Sequence, residues 1–227
     1  MHLAELWRYP VKSMAGELLE SAELGAEGVP GDRIVQAHIR EKEGPRIVTA
    51  RSRPLLLRHR ATLGADGEPL VDGRPWRDPL VAADVERAAG AGARLARSDE
   101  LAARFDILPL LVMTDGAIAA IAEAPELAAV RVDRRRFRPN LLIGGVEGFA
   151  EMEWEGRSVR IGGVGGAVVE LVDLRGRCAM PTFDPDDGRQ AVGVLRAVAR
   201  ATGGVLGLNS RVVKPGLVRV GDPVELL

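Results

Sequence analysis

The cysteine at position 178 is the residue of this chain best suited to metal or covalent chemistry. It follows an apolar run of strand type, Ala167 to Val172, and precedes a turn rich in Pro and Asp. Arg175 and Arg177 lie within three residues of it, and nearby cations favour the thiolate that binds metals and attacks electrophiles. The alternative is a small buried apolar side chain, which is the commoner role of a lone cysteine.

Several other residues have the chemistry to hold an anion. Lys12 and Ser13 stand side by side in a loop bracketed by Pro and Gly, where charge and a hydroxyl can act together. Arg138 and Asn140 end a basic run and are two residues apart, so on an extended chain they point to the same side. A further arginine, Arg33, follows a turn-rich connection.

Two charged residues each allow two interpretations. Asp184 lies six residues after the thiol and is either a proton donor or a turn former, since it precedes a proline. Arg51 either lines the opening to a substrate or is a charge at the end of a strand.

The segments that must position these residues are mostly β. The first third of the chain shows short apolar runs separated by turns, and a shift to Ala, Gly and Arg from Val81 to Arg97 predicts a domain junction. We therefore predict one domain over 1–90 and a second over 91–227. In the second domain, Thr114 or Asp115 is predicted to cap a helix, and another helix is predicted over 188–202 after a cap at Asp186 or Asp187.

Composition limits the function further. The chain has 227 residues and a formal net charge of -1, so there is no general basic field to favour nucleic acid. One cysteine excludes an internal disulfide, a Cys-rich zinc site and an iron–sulfur cluster built by the chain, so a redox centre would have to be a bound cofactor. No apolar run is long enough to span a membrane and no signal segment is evident, which predicts a cytoplasmic protein without membrane contact.

The order of the motifs resembles the MOSC family, in particular the branch with the mitochondrial amidoxime-reducing components and bacterial relatives that have an N-terminal MOSC-associated domain. The resemblance covers the chain from about Leu3 to Leu227. The seven motifs that carry it are Tyr9-Pro10-Val11-Lys12-Ser13, Asp32-Arg33, Thr49-Ala50-Arg51, Phe137-Arg138-Pro139-Asn140, Arg177-Cys178, Asp184-Pro185 and Val220-Gly221-Asp222-Pro223-Val224.

The resemblance implies an α+β fold, mostly β, in which a small N-terminal β domain packs on a β-barrel-like MOSC domain with a few helices. It also implies a molybdenum cofactor, with Cys178 as a metal ligand. The implied contacts to the cofactor's phosphate are Lys12, Ser13, Arg33, Arg138 and Asn140, and Thr114 with Asp115 is a weaker match to the pterin edge.

By the same resemblance, the reaction is a two-electron reduction of an N-hydroxylated compound. Electrons would come from a separate electron-transfer protein, because one cysteine cannot support a ferredoxin-type domain. Two alternatives stay open. Cys178 could carry sulfur as a persulfide, or the chain could hold the cofactor without turnover. A sulfur carrier does not need Lys12, Arg33, Arg138 and Asn140 to converge.

Overall fold

The computed structural model describes residues 1–42, 44–98 and 104–227. Over these ranges the chain is mostly β with three α-helices, so the predicted fold class is confirmed. The strands are β1 His2–Arg8, β2 Glu17–Leu19, β3 Ser21–Leu24, β4 Val35–Glu41, β5 Gly44–Val48, β6 Ala61–Leu63, β7 Pro69–Val71, β8 Arg74–Pro75, β9 Arg94–Arg97, β10 Leu110–Thr114, β11 Leu141–Gly144, β12 Ser158–Ile161, β13 Ala167–Gly176, β14 Val205–Lys214, β15 Gly216–Arg219 and β16 Val224–Leu226. The helices are α1 Pro79–Ala89, α2 Asp115–Ala122 and α3 Gly193–Thr202.

The largest sheet has eight strands in the order β16-β12-β13-β14-β10-β11-β1-β2. Its pairings are antiparallel except for the parallel pair β10 and β11. In β13, Ala167, Val169 and Leu171 alternate with more exposed residues and are fully buried, as the two-residue repeat of a strand requires. Strands β16 and β2 are the two ends of the order, so this sheet is not a closed barrel.

Two smaller sheets and helix α1 form a second apolar core. Strand β4 lies between β5 and β9, and β6, β7 and β8 form a separate three-stranded sheet. Helix α1 begins at a proline and is capped by Asp78, whose side chain accepts a hydrogen bond from the amide of Leu80 at 2.8 Å. Its buried Val81 and Val85 join the same cluster as Val35 and Val48.

The hydrogen-bonded sheets do not divide at residue 90. Strand β9 follows that position but pairs with β4, whereas β1 and β2 belong to the eight-stranded sheet and β3 pairs with β15. Residues 99–103 of the predicted second domain lie outside the described ranges. Each predicted domain therefore contributes strands to sheets of the other: β1, β2 and β3 pair with strands of the second domain, and β9 pairs with a strand of the first.

The helices differ from the prediction in one place. Thr114 caps α2, as predicted, through a hydrogen bond from the amide of Ala117 at 3.2 Å. Helix α3, by contrast, begins at Gly193 and not near 188, because the preceding residues form a closed turn. In that turn the amide of Gly188 donates to the carbonyl of Asp184 at 2.9 Å.

None of the helices in the described ranges is both long and apolar enough to cross a bilayer.

Candidate functional site

One cleft brings together most of the residues predicted from the sequence. It has an empty volume of about 740 Å³, part of which is open to solvent. The predicted residues that line it are Lys12, Ser13, Arg33, Arg51, Arg138, Asn140 and Cys178. Thr114 and Asp184 are not among its lining residues.

Backbone hydrogen bonds bring the first two cationic segments together. The amide of Lys12 donates to the carbonyl of Val35 at 2.8 Å, and the amide of Arg33 donates to the carbonyl of Tyr9 at 2.8 Å. The loop after β1 is thereby joined to the segment that leads into β4. Lys12 and Arg33, which are 21 positions apart, consequently reach one cleft.

Three of the lining residues have left-handed backbone conformations that are unfavourable for side chains with a Cβ. The φ angles are 72° at Ser13, 53° at Arg33 and 59° at Arg138. Among the described residues one other non-glycine residue has a positive φ, Asp72, which precedes Gly73 in a turn. Such a conformation costs about 1 kcal/mol or more and is typically retained where function requires it. The strain of this chain is therefore concentrated at the cleft.

Arg138 presents a donor with no partner. Its Nη1 donates to the carbonyl of Met14 at 2.7 Å, but its Nη2 is buried and has no hydrogen-bond partner in the described part of the chain. Burial lowers the pKa of Arg138 to about 10. A buried cation with an unused donor is suited to an anionic ligand, because an unsatisfied buried donor is otherwise costly.

Asn140 lines the cleft, but its amide is already engaged. Its Oδ1 accepts from Arg33 Nη1 at 3.4 Å and from the amide of Leu111 at 3.2 Å. Its Nδ2 donates to the carbonyl of Trp7 at 3.3 Å and to Asp32 Oδ2 at 3.2 Å. These hydrogen bonds give Asn140 a positioning role, and its contact with a ligand remains a prediction. The expectation that Asn140 and Arg138 share an extended segment is also wrong, because Arg138 is left-handed.

The buried carboxylate of Asp32 fixes Arg33. Its Oδ1 accepts from the amide of Tyr9 at 2.7 Å, and its Oδ2 forms an ion pair with Arg33 Nη1. The Arg33 guanidinium also lies over the Tyr9 ring, with 5.2 Å to the centroid. The orientation of this arginine is therefore set before any ligand arrives.

Cys178 is half-buried, and the two arginines near it in the sequence are fixed by hydrogen bonds. Arg175 Nη1 donates to Asn209 Oδ1 at 2.9 Å, and Arg177 Nη2 donates to the carbonyl of Phe137 at 2.9 Å. Burial lowers the pKa of Arg177 to about 10, while the negative charge of a Cys178 thiolate acts in the opposite direction. Within the described ranges, no group of three or more His, Cys, Asp and Glu side chains is placed to hold a metal ion.

One charged residue of the cleft was missed from the sequence. Asp106 forms ion pairs with Lys12 at 2.9 Å, with Arg175 at 3.5 Å and with Arg51. Burial opposes its ionisation, but Lys12 and the two arginines outweigh burial and lower the pKa of Asp106. No local pattern marks this residue, because its partner Arg51 is 55 positions away.

The charge of the lining is strongly positive. Its cationic members are Lys12, Arg33, Arg51, Arg138, Arg175 and Arg177. Asp106 is the one carboxylate among the lining residues of the described cleft. A cleft with this balance is built to receive an anion.

Thr114 is placed elsewhere than predicted. It is fully buried, and its hydroxyl donates to Glu151 while it caps α2. A hydroxyl used twice within the core is not available to a pterin. The position of Thr114 therefore gives no support to its predicted cofactor contact.

Asp184 has the contacts of a turn-forming residue. Its Oδ1 accepts from the amide of Asp186 at 2.9 Å, and its Oδ2 is paired with Arg136 Nη2 at 2.6 Å. The side chain is held in these contacts and does not line the cleft, so the geometry favours the turn interpretation over the proton donor. The turn interpretation accounts for its position.

Two family models match separate parts of the chain. The MOSC domain model matches residues 106–225, which is more than half of the chain. The chain belongs to the MOSC family. A second family model, the MOSC N-terminal beta barrel domain, matches residues 1–80. MOSC domains are associated with the molybdenum cofactor.

Curated relatives are the mitochondrial amidoxime-reducing components. The MOSC chain is 30% identical to human component 2 over 132 residues, which are 52% of this chain and 37% of that protein. It is 24% identical to human component 1 in an alignment that covers 99% of this chain and 82% of that protein. The match to component 2 thus spans little more than a third of the relative's length.

A solved structure supports the fold. The YUAD protein from Bacillus subtilis matches with a TM-score of 0.53 at 15% identity, covering 99% of this chain and 94% of the other. At that identity the similarity concerns the fold alone.

Proposed function

We propose that the cleft holds a molybdenum cofactor, with Cys178 as the protein ligand to molybdenum, and that the protein reduces N-hydroxylated compounds. The observation that supports this most strongly is the convergence of Cys178 with six cations on one cleft. A thiolate is a soft ligand that suits a metal also bound by dithiolene sulfurs. When bound, the cofactor would supply the two-electron redox chemistry.

The residues of the chain would hold the cofactor by its phosphate. Lys12 offers a point charge, Arg33 a pre-oriented guanidinium and Arg138 the unused Nη2 donor. Ser13 adds a hydroxyl from a left-handed backbone position. Each charged hydrogen bond is worth about 1.5–3 kcal/mol, so these groups together can retain a phosphate-bearing ligand.

The open side of the cleft would receive the substrate. Arg51 is 45% exposed there, whereas Arg175 is 19% exposed and hydrogen-bonded to Asn209. The substrate would approach Cys178 past these groups. Electrons would come from a separate electron-transfer protein, and the predicted cytoplasmic location is part of the same proposal.

A persulfide on Cys178 is the second candidate function. Arg175 and Arg177 would stabilise a sulfur-carrying anion as well as a metal-bound thiolate. The convergence of Lys12, Arg33 and Arg138 favours the cofactor instead, because sulfur transfer alone does not require them.

Metal and pterin analysis tests the proposal. The protein and the variants Cys178→Ala and Met180→Leu would be expressed in a host that makes the cofactor, and molybdenum and pterin would be measured per chain. We expect near-stoichiometric amounts in the wild type and in the Met180 control, which replaces the thioether among the lining residues by a hydrocarbon side chain, and loss in Cys178→Ala.

Turnover would then be measured with an aromatic amidoxime and reduced viologen as the electron source. Formation of the amidine by wild type and not by Cys178→Ala would support the reductase. Protein with neither molybdenum nor pterin, but with a persulfide on Cys178 in the mass spectrum, would exclude it in favour of sulfur transfer. Cofactor at full occupancy without turnover would indicate a holding module.

A further inference from the structure

Asp106 lies at the point of the cleft where an incoming anion would find three cations. Its carboxylate contacts Lys12 at 2.9 Å, Arg175 at 3.5 Å and Arg51. Its side chain is 34% exposed, so it lies at the open side and not in the core. The chain thus provides its own anion at this end of the cleft.

We propose that Asp106 is a specificity-determining residue that weakens the binding of small free anions, such as inorganic phosphate and pyrophosphate, so that the cleft is kept for a larger anionic ligand. The nature of that larger ligand rests on the proposed function. The effect of Asp106 on small anions is independent of the proposed function.

The reason is competition within the chain. Without Asp106, the cations of the cleft would attract any phosphate compound, because Coulomb attraction does not distinguish one phosphate from another. Asp106 is attached to the same chain, so it is always present at high effective concentration. A small anion must either displace this carboxylate from Lys12, Arg51 and Arg175 or bind beside its negative charge.

A larger anion escapes this competition. Arg33 and Arg138 are not paired with Asp106: Arg33 pairs with Asp32, and Arg138 keeps a free Nη2. A ligand long enough to contact these two arginines as well gains contacts that an anion bound to Lys12, Arg51 and Arg175 alone does not. Asp106 therefore increases the affinity for the larger anion relative to that for the small anion, although it weakens the general attraction of the cleft for negative charge.

The test measures pyrophosphate binding to full-length protein prepared free of cofactor. Isothermal titration would compare wild type with Asp106→Asn at low ionic strength. We expect Asp106→Asn to bind pyrophosphate about fivefold to tenfold more tightly, as expected when one negative charge is removed a few ångströms from the ligand. The gain should shrink at 0.5 M salt, because these groups are partly exposed.

Four further variants locate the effect. Asp186→Asn removes an acid that pairs with Arg135 outside the cleft, and it should leave the affinity unchanged. Adding Arg51→Gln to Asp106→Asn should cancel most of the gain, because Arg51 is one of the released cations. Asp106→Ser is a second neutral variant, and Asp106→Glu, which keeps the charge, should behave like wild type.

Equal or weaker pyrophosphate binding in Asp106→Asn and Asp106→Ser would overturn the proposal, as would an equal gain in Asp186→Asn. These outcomes do not depend on molybdenum or on turnover. A failure here is therefore distinguishable from a failure of the reductase proposal.

Discussion

The guanidinium of Arg138 lies over the Tyr9 ring, with its central carbon 4.1 Å from the ring centroid. Both side chains are buried, and the Tyr9 hydroxyl donates to the carbonyl of Pro139, next to Arg138, at 3.0 Å. The face of an aromatic ring attracts a cation without neutralising it. Arg138 is thus fixed in place while its charge remains available to a ligand.

Arg138→Met should reduce binding without unfolding the protein. Loss of one charged donor should lower cofactor retention about tenfold or more. The free energy of unfolding should stay constant or rise, because a buried cation without a carboxylate partner is removed. Cofactor content after dialysis and urea unfolding would be measured, with Arg87→Met, an exposed arginine on α1, as control. A large loss of stability with normal retention would contradict this assignment.

Substitution of Ser13 by glycine should raise the stability of the fold but weaken cofactor retention. Its φ of 72° is easy for glycine and costly for other residues, so Ser13→Gly should stabilise the fold by about 0.5–1 kcal/mol. Both Ser13→Gly and Ser13→Ala should weaken cofactor retention, because both lack the hydroxyl. Thermal unfolding and cofactor content of the two variants separate the effects. Equal retention in wild type and Ser13→Ala would exclude a ligand contact for the hydroxyl.

The ion pair between Arg136 and Asp184 should matter for stability more than for catalysis. The Arg136 side chain is 3% exposed and joins the turn after Cys178 to the segment before β11. Arg136→Ala should cost about 3 kcal/mol, since it leaves a carboxylate without its partner. Asp184→Asn should cost less and leave turnover of an N-hydroxylated substrate near the wild-type rate. Loss of turnover in a well-folded Asp184→Asn protein would restore Asp184 as a proton donor.

Glu151 should make stability depend on pH. Burial raises its pKa from 4.5 to about 7, while the hydrogen bond from Thr114 acts in the opposite direction. Between about pH 4.5 and pH 7, Glu151 keeps its proton in the folded protein but has lost it in the unfolded chain. Stability should therefore fall as pH rises from about 4.5 to about 7 and level off above that, by about 3 kcal/mol in total.

Urea unfolding from pH 5 to pH 8 would test this for wild type, Glu151→Gln and the exposed control Glu153→Gln. Glu151→Gln should lose the decline with pH, and Glu153→Gln should retain it. The same decline in Glu151→Gln as in wild type would assign the pH dependence to another group.

The sequence predicted the parts of the site that are local. Lys12 with Ser13, and Arg177 with Cys178, are neighbours in the chain, so their chemistry can be recognised without knowing the fold. Asp106 could not be found in this way, because its ion pairs with Lys12 and Arg51 exist only after distant segments meet.

The differences between prediction and structure have a common cause. The resemblance implies ligand contacts for Thr114 and Asn140, but in the structure both side chains are hydrogen-bonded within the protein. Asn140 and Arg138 were assumed to share an extended segment, whereas a left-handed residue interrupts it. Residue type identifies what a side chain can bind, and only the packing decides which partner it binds.

The strand exchange between the two halves has a consequence for biosynthesis. Strand β1 has its neighbour β2 close by in the chain, but on its other side Leu3 pairs with Ile143 in β11, a partner made about 140 residues later. Until then Leu3 and Leu6, which are fully buried in the folded protein, lack the part of the sheet that begins with β11. We expect slow folding completed late in translation, and a nascent chain that depends on chaperones until the strands around Cys178 have been made.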